Sequence, residues 1–370
     1  EQEREEVRAA MKDLEVNFEQ EIHPTLTGVF GSENKPGIDR DEHITILLHR
    51  MKPGSRGYFN TGDGYTRFEV PRSNEREMLY LSADAIVSPL AKSYLAHEFV
   101  HLLYFHQKGI AISTIEEIWI QEGFAELGST LVGYDDVFEG SYLASRVRDF
   151  VSNPRNSLPE WDGAQSDYGV VNMFFQYVLD QYGQDVLVDA MRSPLTGIAS
   201  LEAGLTQQGF QEDFAEVFTN WSIAMFLNDC SYGERYCFQN ENLNDVRVLA
   251  FTSFLSPFGE SKLTVTNQSK NWAGNWHRIS GGRGVIEVAF DGNHNVPFVV
   301  PYLIQKNAGG YEIGFFDLAE DQTGKIVVEF FSEATSTRLC RKRSCKAMGC
   351  LAMISAASAS FCEAWNSPSA

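Results

Sequence analysis

The chain lacks several features that would place it in common classes of protein. No apolar run is long enough to span a bilayer, and nothing near residue 1 resembles a signal peptide. Positive charge is scarce, since 30 Lys and Arg face 50 Asp and Glu, which gives a net charge of −20. Nucleic acids and anionic membranes both select basic surfaces. The composition therefore argues against both partners and favours a well-solvated surface.

Cysteine is absent from the first 229 residues, and all six cysteines lie between positions 230 and 362. An even number clustered in one part of a chain is typical of disulfides formed in an oxidising compartment. A second zinc site made from Cys340, Cys345, Cys350 and Cys362 is the alternative, but these residues lack the closely spaced pairs of common zinc modules. We expect three disulfides in a secreted or cell-surface protein whose signal peptide has been removed.

One segment, residues 88–109, contains the strongest chemical pattern, HEFVH at 97–101. Ser88 is typical of a helix start and Gly109 of a helix end, so the pattern is expected well inside a helix. At about 100° per residue, His101 lies about 40° around the helix from His97, with Glu98 beside them. Two imidazoles and an adjacent carboxylate are what a zinc-activated water requires. The segment predicts a catalytic zinc with Glu98 as the base.

A catalytic zinc of this kind takes a third protein ligand, for which several residues compete. His106 is on the same helix, but nine residues from His97 rotate it by about 180° onto the opposite face. Glu116 fits a capping box that opens the next helix, and Glu117 fits ordinary solvation. Glu122 and Glu126, one turn apart on that next helix, remain as candidates.

The HEFVH pattern followed by WIQEGFAE at 119–126 resembles the gluzincin metallopeptidases, which have a thermolysin-like catalytic domain. Within that group the chain is most similar to the hyicolysin family of bacterial secreted peptidases. SNERE at 73–77, AHEFVHLLYFHQK at 96–108 and EGFAELGSTLVGY at 122–134 carry this resemblance. It covers roughly residues 57–227 and, more loosely, the strand-rich part that follows.

The resemblance implies that Glu122 is the third zinc ligand. It also implies that Glu126 accepts a hydrogen bond from His97, although the usual residue at that position is Asp. Anchoring the second nitrogen of a zinc-bound imidazole fixes its tautomer and orientation. Similar enzymes supply a later tyrosine or histidine to stabilise the oxyanion, and Tyr168, at the start of a predicted helix, lies at a comparable place.

These residues predict a zinc endopeptidase that uses one zinc-bound water, activated by Glu98, to hydrolyse internal bonds of a protein or peptide substrate. The G-x-M-E-N segment that gluzincin aminopeptidases share is missing before the HEFVH helix, where EREMLYLSAD stands instead. The strand predicted at 77–82 could pair with an extended substrate. The alternative is a secreted or surface binding or adhesion protein that keeps a catalytically silent zincin scaffold.

The periodicity predicts an α+β protein, which we expect to be monomeric. Residues 1–229 are expected to form a zincin-type catalytic domain, with a small sheet and the active-site helix followed by a helical subdomain. Residues 246–335 are expected to form an antiparallel β-sandwich, and residues 336–370 a Cys-containing tail that begins with basic residues. A structural calcium ion is a further candidate at Asn60–Gly64 or at Asp135 and Asp136.

Overall fold

Helices dominate the first part of the chain and strands the last part, so the α+β class expected from the sequence is confirmed. The computed structural model describes residues 2–306, 309–332, 347–348, 350–356 and 360–367. Two compact units are present, the first made of Glu1–Ser152 with Trp161–Phe214 and the second of Asn153–Glu160 with Ala215–Ala370. The last change from the first unit to the second along the chain falls after Phe214, before the boundary predicted between 229 and 246. Most of the helix at 214–227 groups with the strands that follow it.

The helices of the chain are α1 Gln2–Asn17, α2 His23–Phe30, α3 Ala91–Tyr104, α4 Ile118–Glu126, α5 Gly128–Val132, α6 Tyr142–Ser152, α7 Gln165–Tyr182, α8 Gln184–Arg192, α9 Ile198–Gln207 and α10 Phe214–Leu227. Two π-helical segments, Phe18–Ile22 and Phe105–Ile110, continue α1 and α3. In the described part of the chain no helix is both long enough and apolar enough to cross a membrane.

The α1 helical stretch runs from α1 through the π-helical segment Phe18–Ile22 into α2, and a four-residue apolar repeat continues along it. Its buried residues are Leu14, Phe18, Ile22, Leu26 and Phe30. A strict four-residue repeat drifts by about 40° per step around an α-helix. The π-helical segment has more residues per turn and so keeps this row on one side. The stretch ends at Gly31, which has a φ of 93°.

A three-stranded sheet accompanies these helices in the first unit. It contains β1 Thr45–His49, β2 Gly57–Phe59 and β3 Met78–Ser82, in the order β1-β3-β2. β1 runs parallel to β3, and β2 runs antiparallel to it. The prediction that the strand at 77–82 offers a free edge to substrate is wrong, because β3 lies between two partners and all five of its residues are buried. The edge strands are β1 and β2.

The loop between β2 and β3 is fastened by one buried carboxylate, Asp63. Its Oδ2 accepts a hydrogen bond from Tyr80 Oη on β3 and one from Asn60 Nδ2, at 3.0 Å. Its Oδ1 accepts from the backbone N–H of Asn74 at 2.8 Å. Asp63 therefore has donors from the chain at both oxygens, which accounts for its burial without a calcium ion.

The second candidate calcium position is explained in the same way. Asp135 Oδ2 accepts a hydrogen bond from Thr130 Oγ1 at 2.8 Å, and Oδ1 accepts from the backbone N–H of Leu143 at 3.0 Å. Both oxygens are thus engaged where the end of α5 meets the start of α6. This carboxylate joins two helices.

The described part of the second unit contains two mixed five-stranded sheets. Their strands are β4 Phe251–Leu255, β5 Ser261–Asn267, β6 Gly274–Gly281, β7 Arg283–Gly292, β8 Pro301–Gln305, β9 Tyr311–Phe315, β10 Thr323–Ser332, β11 Ala347–Met348, β12 Cys350–Ala356 and β13 Ser360–Ser367. The orders are β11-β10-β7-β13-β5 and β4-β6-β12-β8-β9. Residues of both sheets, among them Ile279, Val288 and Val328, form one buried apolar cluster. The finer arrangement expected for these strands stays a prediction.

Both five-stranded sheets include strands from residues 336–370, the segment predicted to be a separate tail. β12 pairs with β6 and β8, and β13 pairs with β5 and β7. Because this segment is rich in small residues, it lacks the clear alternation of apolar and polar residues by which strands are recognised. One disulfide joins Cys230 to Cys237. Cys340, Cys345 and the basic cluster lie outside the described residues, whereas Cys350 and Cys362 lie on β12 and β13.

Candidate metal centre

Three side chains from two neighbouring helices converge on one point in the first unit. His97 and His101 lie one turn apart on α3, as their spacing predicts, and Glu122 reaches them from α4. The Nε2 atoms of the two histidines are 3.2 Å apart. Glu122 Oε2 lies 3.3 Å from His97 Nε2 and 3.5 Å from His101 Nε2. In the described part of the chain, this is the one group of His, Cys, Asp or Glu that could hold a metal ion.

The separations among these three atoms match those of a tetrahedral metal site. Zinc bonds to imidazole nitrogen and carboxylate oxygen are about 2.0–2.1 Å long, so two ligands of a tetrahedral ion lie about 3.3–3.4 Å apart. The observed range of 3.2 to 3.5 Å brackets that value. Two imidazole nitrogens and one carboxylate oxygen also form a known donor set for a catalytic ion with a fourth position open. The residues therefore fit a bound metal ion.

Burial and the two histidines shift the pKa of Glu122 in opposite directions. Burial alone raises the pKa of its carboxyl, but the charges and hydrogen bonds of His101 and His97 outweigh that effect. The net result is a Glu122 pKa well below the usual value. A carboxylate that stays ionised while buried between imidazoles is suited to holding a cation.

Glu98 follows the first histidine on α3 and is 7% exposed. Burial raises the pKa of its carboxyl to about 8; the charge of His101 opposes this rise, and the charges of Glu122 and Glu126 add to it. Gly57 on the edge strand β2 lies directly against this side chain. A Cβ atom at position 57 would come within 2.8 Å of Glu98 Cγ and Oε1, so the close approach requires glycine.

Glu126 lies one turn beyond Glu122 and is fully buried. Its Oε1 is 3.6 Å from His97 Nδ1, near the predicted partner but beyond hydrogen-bond length. Arg146 holds both of its oxygens, through Nε at 2.8 Å and Nη2 at 2.8 Å. Tyr142 Oη donates to Oε1 at 2.7 Å, and Asn172 Nδ2 donates to Oε2 at 3.2 Å.

These partners of Glu126 come from α6 and α7, and the sequence-based reading missed them. Arg146 follows Glu126 by 20 residues, so no helical spacing links the two positions. A single arginine in an amphipathic helix carries no signal that distinguishes a buried ion pair from an exposed charge.

Tyr168, the predicted oxyanion donor, lies in the first turn of α7. The guanidinium carbon of Arg146 stands 4.8 Å from the centre of its ring. Burial raises the pKa of the Tyr168 hydroxyl well above its usual range, and the negative charges of Glu122 and Glu126 raise it further. The Tyr168 hydroxyl therefore keeps its proton at neutral pH and can donate a hydrogen bond.

A second buried set of charges joins the end of the α3 helix to the segment before α4. Lys108 is fully buried in the π-helical segment, and its Nζ donates to Glu116 Oε2 at 2.5 Å and to the carbonyl oxygen of Ala190 at 3.3 Å. Tyr104 Oη also donates to Glu116 Oε2, at 3.1 Å. The backbone N–H of Gly197 donates to Glu116 Oε1 at 2.6 Å.

This Lys108–Glu116 pair corrects the predicted capping box. α4 begins at Ile118 without a side-chain cap, because the Glu116 carboxylate is turned into the core instead. Glu117, expected to be simply solvated, accepts a hydrogen bond from Trp119 Nε1 at 2.6 Å. α3 likewise begins at Ala91, with Ser88 Oγ accepting only from the N–H of Leu90 before the helix.

His106 lies away from the metal-ligand group, as its rotation on the helix predicts. It is 8% exposed, and its Nε2 is 3.8 Å from Glu77 Oε1. Burial lowers the pKa of its imidazole to about 4. His106 is therefore a neutral packing residue at physiological pH.

Comparison with known proteins adds little to this geometry. No family model matches the chain, and no curated protein matches it. Among solved structures, the chain is weakly similar to a family GH115 4-O-methyl-α-glucuronidase with specificity for decorated arabinogalactans, at 9% identity and a TM-score of 0.17. That alignment covers 88% of this chain, and this chain spans 51% of the glucuronidase.

Proposed function

We propose that this protein is a secreted zinc endopeptidase of the gluzincin type, similar to the hyicolysin family. The observation that supports this most strongly is the 3.2–3.5 Å spacing of the His97, His101 and Glu122 ligand atoms, beside the buried carboxyl of Glu98. In this proposal the first unit is a zincin-type catalytic domain. The two five-stranded sheets of the second unit form a β-sandwich.

A bound zinc ion would polarise the scissile carbonyl and make a water molecule acidic near neutral pH. The remaining chemistry is assigned to side chains. Glu98, which follows His97 on α3, accepts a proton from the attacking water and returns it to the leaving nitrogen. Arg146 and Tyr142 fix Glu126 close to His97 and so limit the movement of that imidazole.

The substrate strand is assigned to the free edge of β2. β2 pairs with β3 on one side, and Gly57 brings its backbone against Glu98. An extended peptide added to this edge would hold its backbone by main-chain hydrogen bonds and lie close to the base.

The proposal is tested by measuring cleavage of a peptide library with the zinc-loaded wild type and Glu98→Gln, together with the metal content of both. We expect Glu98→Gln to keep its zinc and to cleave at least about 100-fold more slowly, because it cannot accept a proton. The exposed Glu139→Gln is the matched control and should cleave like the wild type. Equal rates for wild type and Glu98→Gln would refute the mechanism. Zinc binding without any Glu98-dependent cleavage would favour the binding or adhesion protein.

Tyr168 is proposed to donate a hydrogen bond to the oxyanion. We expect Tyr168→Phe to lower kcat by about tenfold or more while zinc content and KM change little, because the lost donor acts in the transition state. A kcat within about threefold of the wild type, with zinc retained, would remove Tyr168 from the mechanism.

A further inference from the structure

A cavity of about 430 Å³ lies in the first unit, between the α1 helical stretch and strand β1. None of the proposed metal ligands lines it. Its volume is within the range of small-molecule pockets, about 300–1,000 Å³. The apolar part of the lining consists of Met11, Leu14, Phe18, Ile44, Ile46, Leu48 and Ile86.

Negative charge surrounds this apolar lining. Glu15 and Glu19 come from the helical wall, and Glu33 and Glu42 come from the segment that follows α2. Lys35 is the one lysine among the described lining residues, and the lining includes no arginine. Four carboxylates against one ammonium group favour a cationic ligand and disfavour an anionic one.

The rim shows the same negative potential at His43. Its pKa is raised, first by the hydrogen bond to Asp41 and then by the charges of Asp41, Glu42 and Glu19. Glu19, from the α1 helical stretch, and Asp41 and Glu42, from the segment after α2, therefore all act on the His43 imidazole.

Glu33 supplies the most specific feature of the cavity. It is 4% exposed, and its Oε1 accepts from His23 Nε2 at 2.9 Å and from Lys35 Nζ at 3.2 Å. Its Oε2 is buried and finds no donor in the described part of the chain. Burial opposes ionisation, but the hydrogen bond from His23 and the other contacts lower the Glu33 pKa overall. A buried, ionised oxygen without a donor is costly, and a ligand donor would remove that cost.

We propose that this cavity binds an amphipathic organic cation, a primary alkylammonium whose NH₃⁺ group donates to Glu33 Oε2 and whose alkyl chain covers the apolar lining. A purely apolar ligand would leave Oε2 without a donor. A bare metal ion would leave the apolar lining exposed. The alkylammonium satisfies both features with one molecule, and the inference does not depend on peptidase activity.

The test is calorimetric titration of the full chain with octylammonium, octanol and octanoate. We expect octylammonium to bind with a Kd of about 1 mM or tighter. Octanol and octanoate, which cannot place a positive donor at Glu33, should bind at least about tenfold more weakly. Octanol binding as tightly as octylammonium would overturn the proposal, because the charge would then not be recognised.

Three variants locate the site. Glu33→Gln should weaken octylammonium binding at least about tenfold. Glu21→Gln, an exposed residue of the same helical stretch outside the lining, should change it by less than about twofold. If Glu33→Gln does not fold, Met11→Trp decides, since Met11 lines the cavity and is 46% exposed, and a larger side chain there is expected to reduce the space for the ligand. Unchanged binding in Met11→Trp would place the ligand elsewhere and overturn the proposal.

Discussion

Two groups of charged side chains join the α3 helix to the α4 region, the fully buried Lys108–Glu116 pair and the partly buried His97–His101–Glu122 group, and their charges are partnered differently. In the Lys108–Glu116 pair, both glutamate oxygens and the ammonium group have partners within the chain. In the His97–His101–Glu122 group, three potential ligand atoms face one another within 3.5 Å. The first set has all its partners within the chain, whereas the second presents three ligand atoms that could hold one metal ion. Buried charge alone therefore does not identify a candidate metal site, whereas ligand atoms spaced for one ion do.

Breaking the complete pair should have the largest effect on stability. Lys108→Met leaves the Glu116 carboxylate buried without its cation, and we expect the free energy of unfolding to fall by about 3–5 kcal/mol. Denaturant unfolding of the metal-free protein measures this change. The control is Lys108→Met with Glu116→Gln, which removes both charges and should be less destabilising than the single change. A double variant as unstable as the single one would show that an unpaired charge is not the cause.

Binding of zinc to the His97–His101–Glu122 group should have the next largest effect on stability. Free zinc at about 100 times its Kd should raise the free energy of unfolding by about 2.7 kcal/mol, because the ion binds the folded state. His101→Ala should abolish this rise by removing a ligand. His43→Ala, at an exposed histidine, should retain it. Equal stabilisation of His101→Ala by zinc would mean that the ion binds elsewhere.

The pH dependence of the metal-free protein tests the state of Glu98. Its pKa of about 8 lies above the ordinary value of 4.5, so the folded state holds its proton more tightly than the unfolded state. The contribution of Glu98 to stability is therefore fully present below about pH 4.5 and is lost as the pH rises towards 8.

Comparison with Glu98→Gln isolates this contribution from that of His106, whose lowered pKa of about 4 acts in the opposite direction below pH 6.5. Between pH 6.5 and 7.5, the free energy of unfolding of the wild type should fall by about 1.2 kcal/mol relative to Glu98→Gln. Chemical unfolding in the presence of a chelator measures the difference. A constant difference across this range would contradict the raised pKa.

The part of the site that follows helical geometry was predictable. The four-residue spacing of His97 and His101 and the rotation of His106 each depend on one helix, and the structure agrees with both. Glu122 required the resemblance to known peptidases, because residues on two helices come together only through tertiary packing. The capping box predicted at Glu116 is absent for the same reason. The ion pair between Glu116 and the buried Lys108 depends on tertiary packing, and it is more favourable than a local cap.

Strand pairing was the least predictable part of the fold. The run at 77–82 was recognisable as a strand, but its place between β1 and β2 depends on partners elsewhere in the chain. β2 has three residues and contains Gly57, so it gives almost no alternation. β12 and β13 are likewise recognised only through the strands that they pair with.

The buried Asp63 has a thermodynamic consequence for any molecule that docks along β2. Its hydrogen bonds to Asn60, Asn74 and Tyr80 hold the β2–β3 loop against β3 before a ligand arrives. Ordering a side chain on binding commonly costs about 0.5–1.5 kcal/mol of conformational entropy. That entropy is already lost here during folding, so a peptide at this edge meets a pre-ordered surface and mainly has its own freedom left to lose.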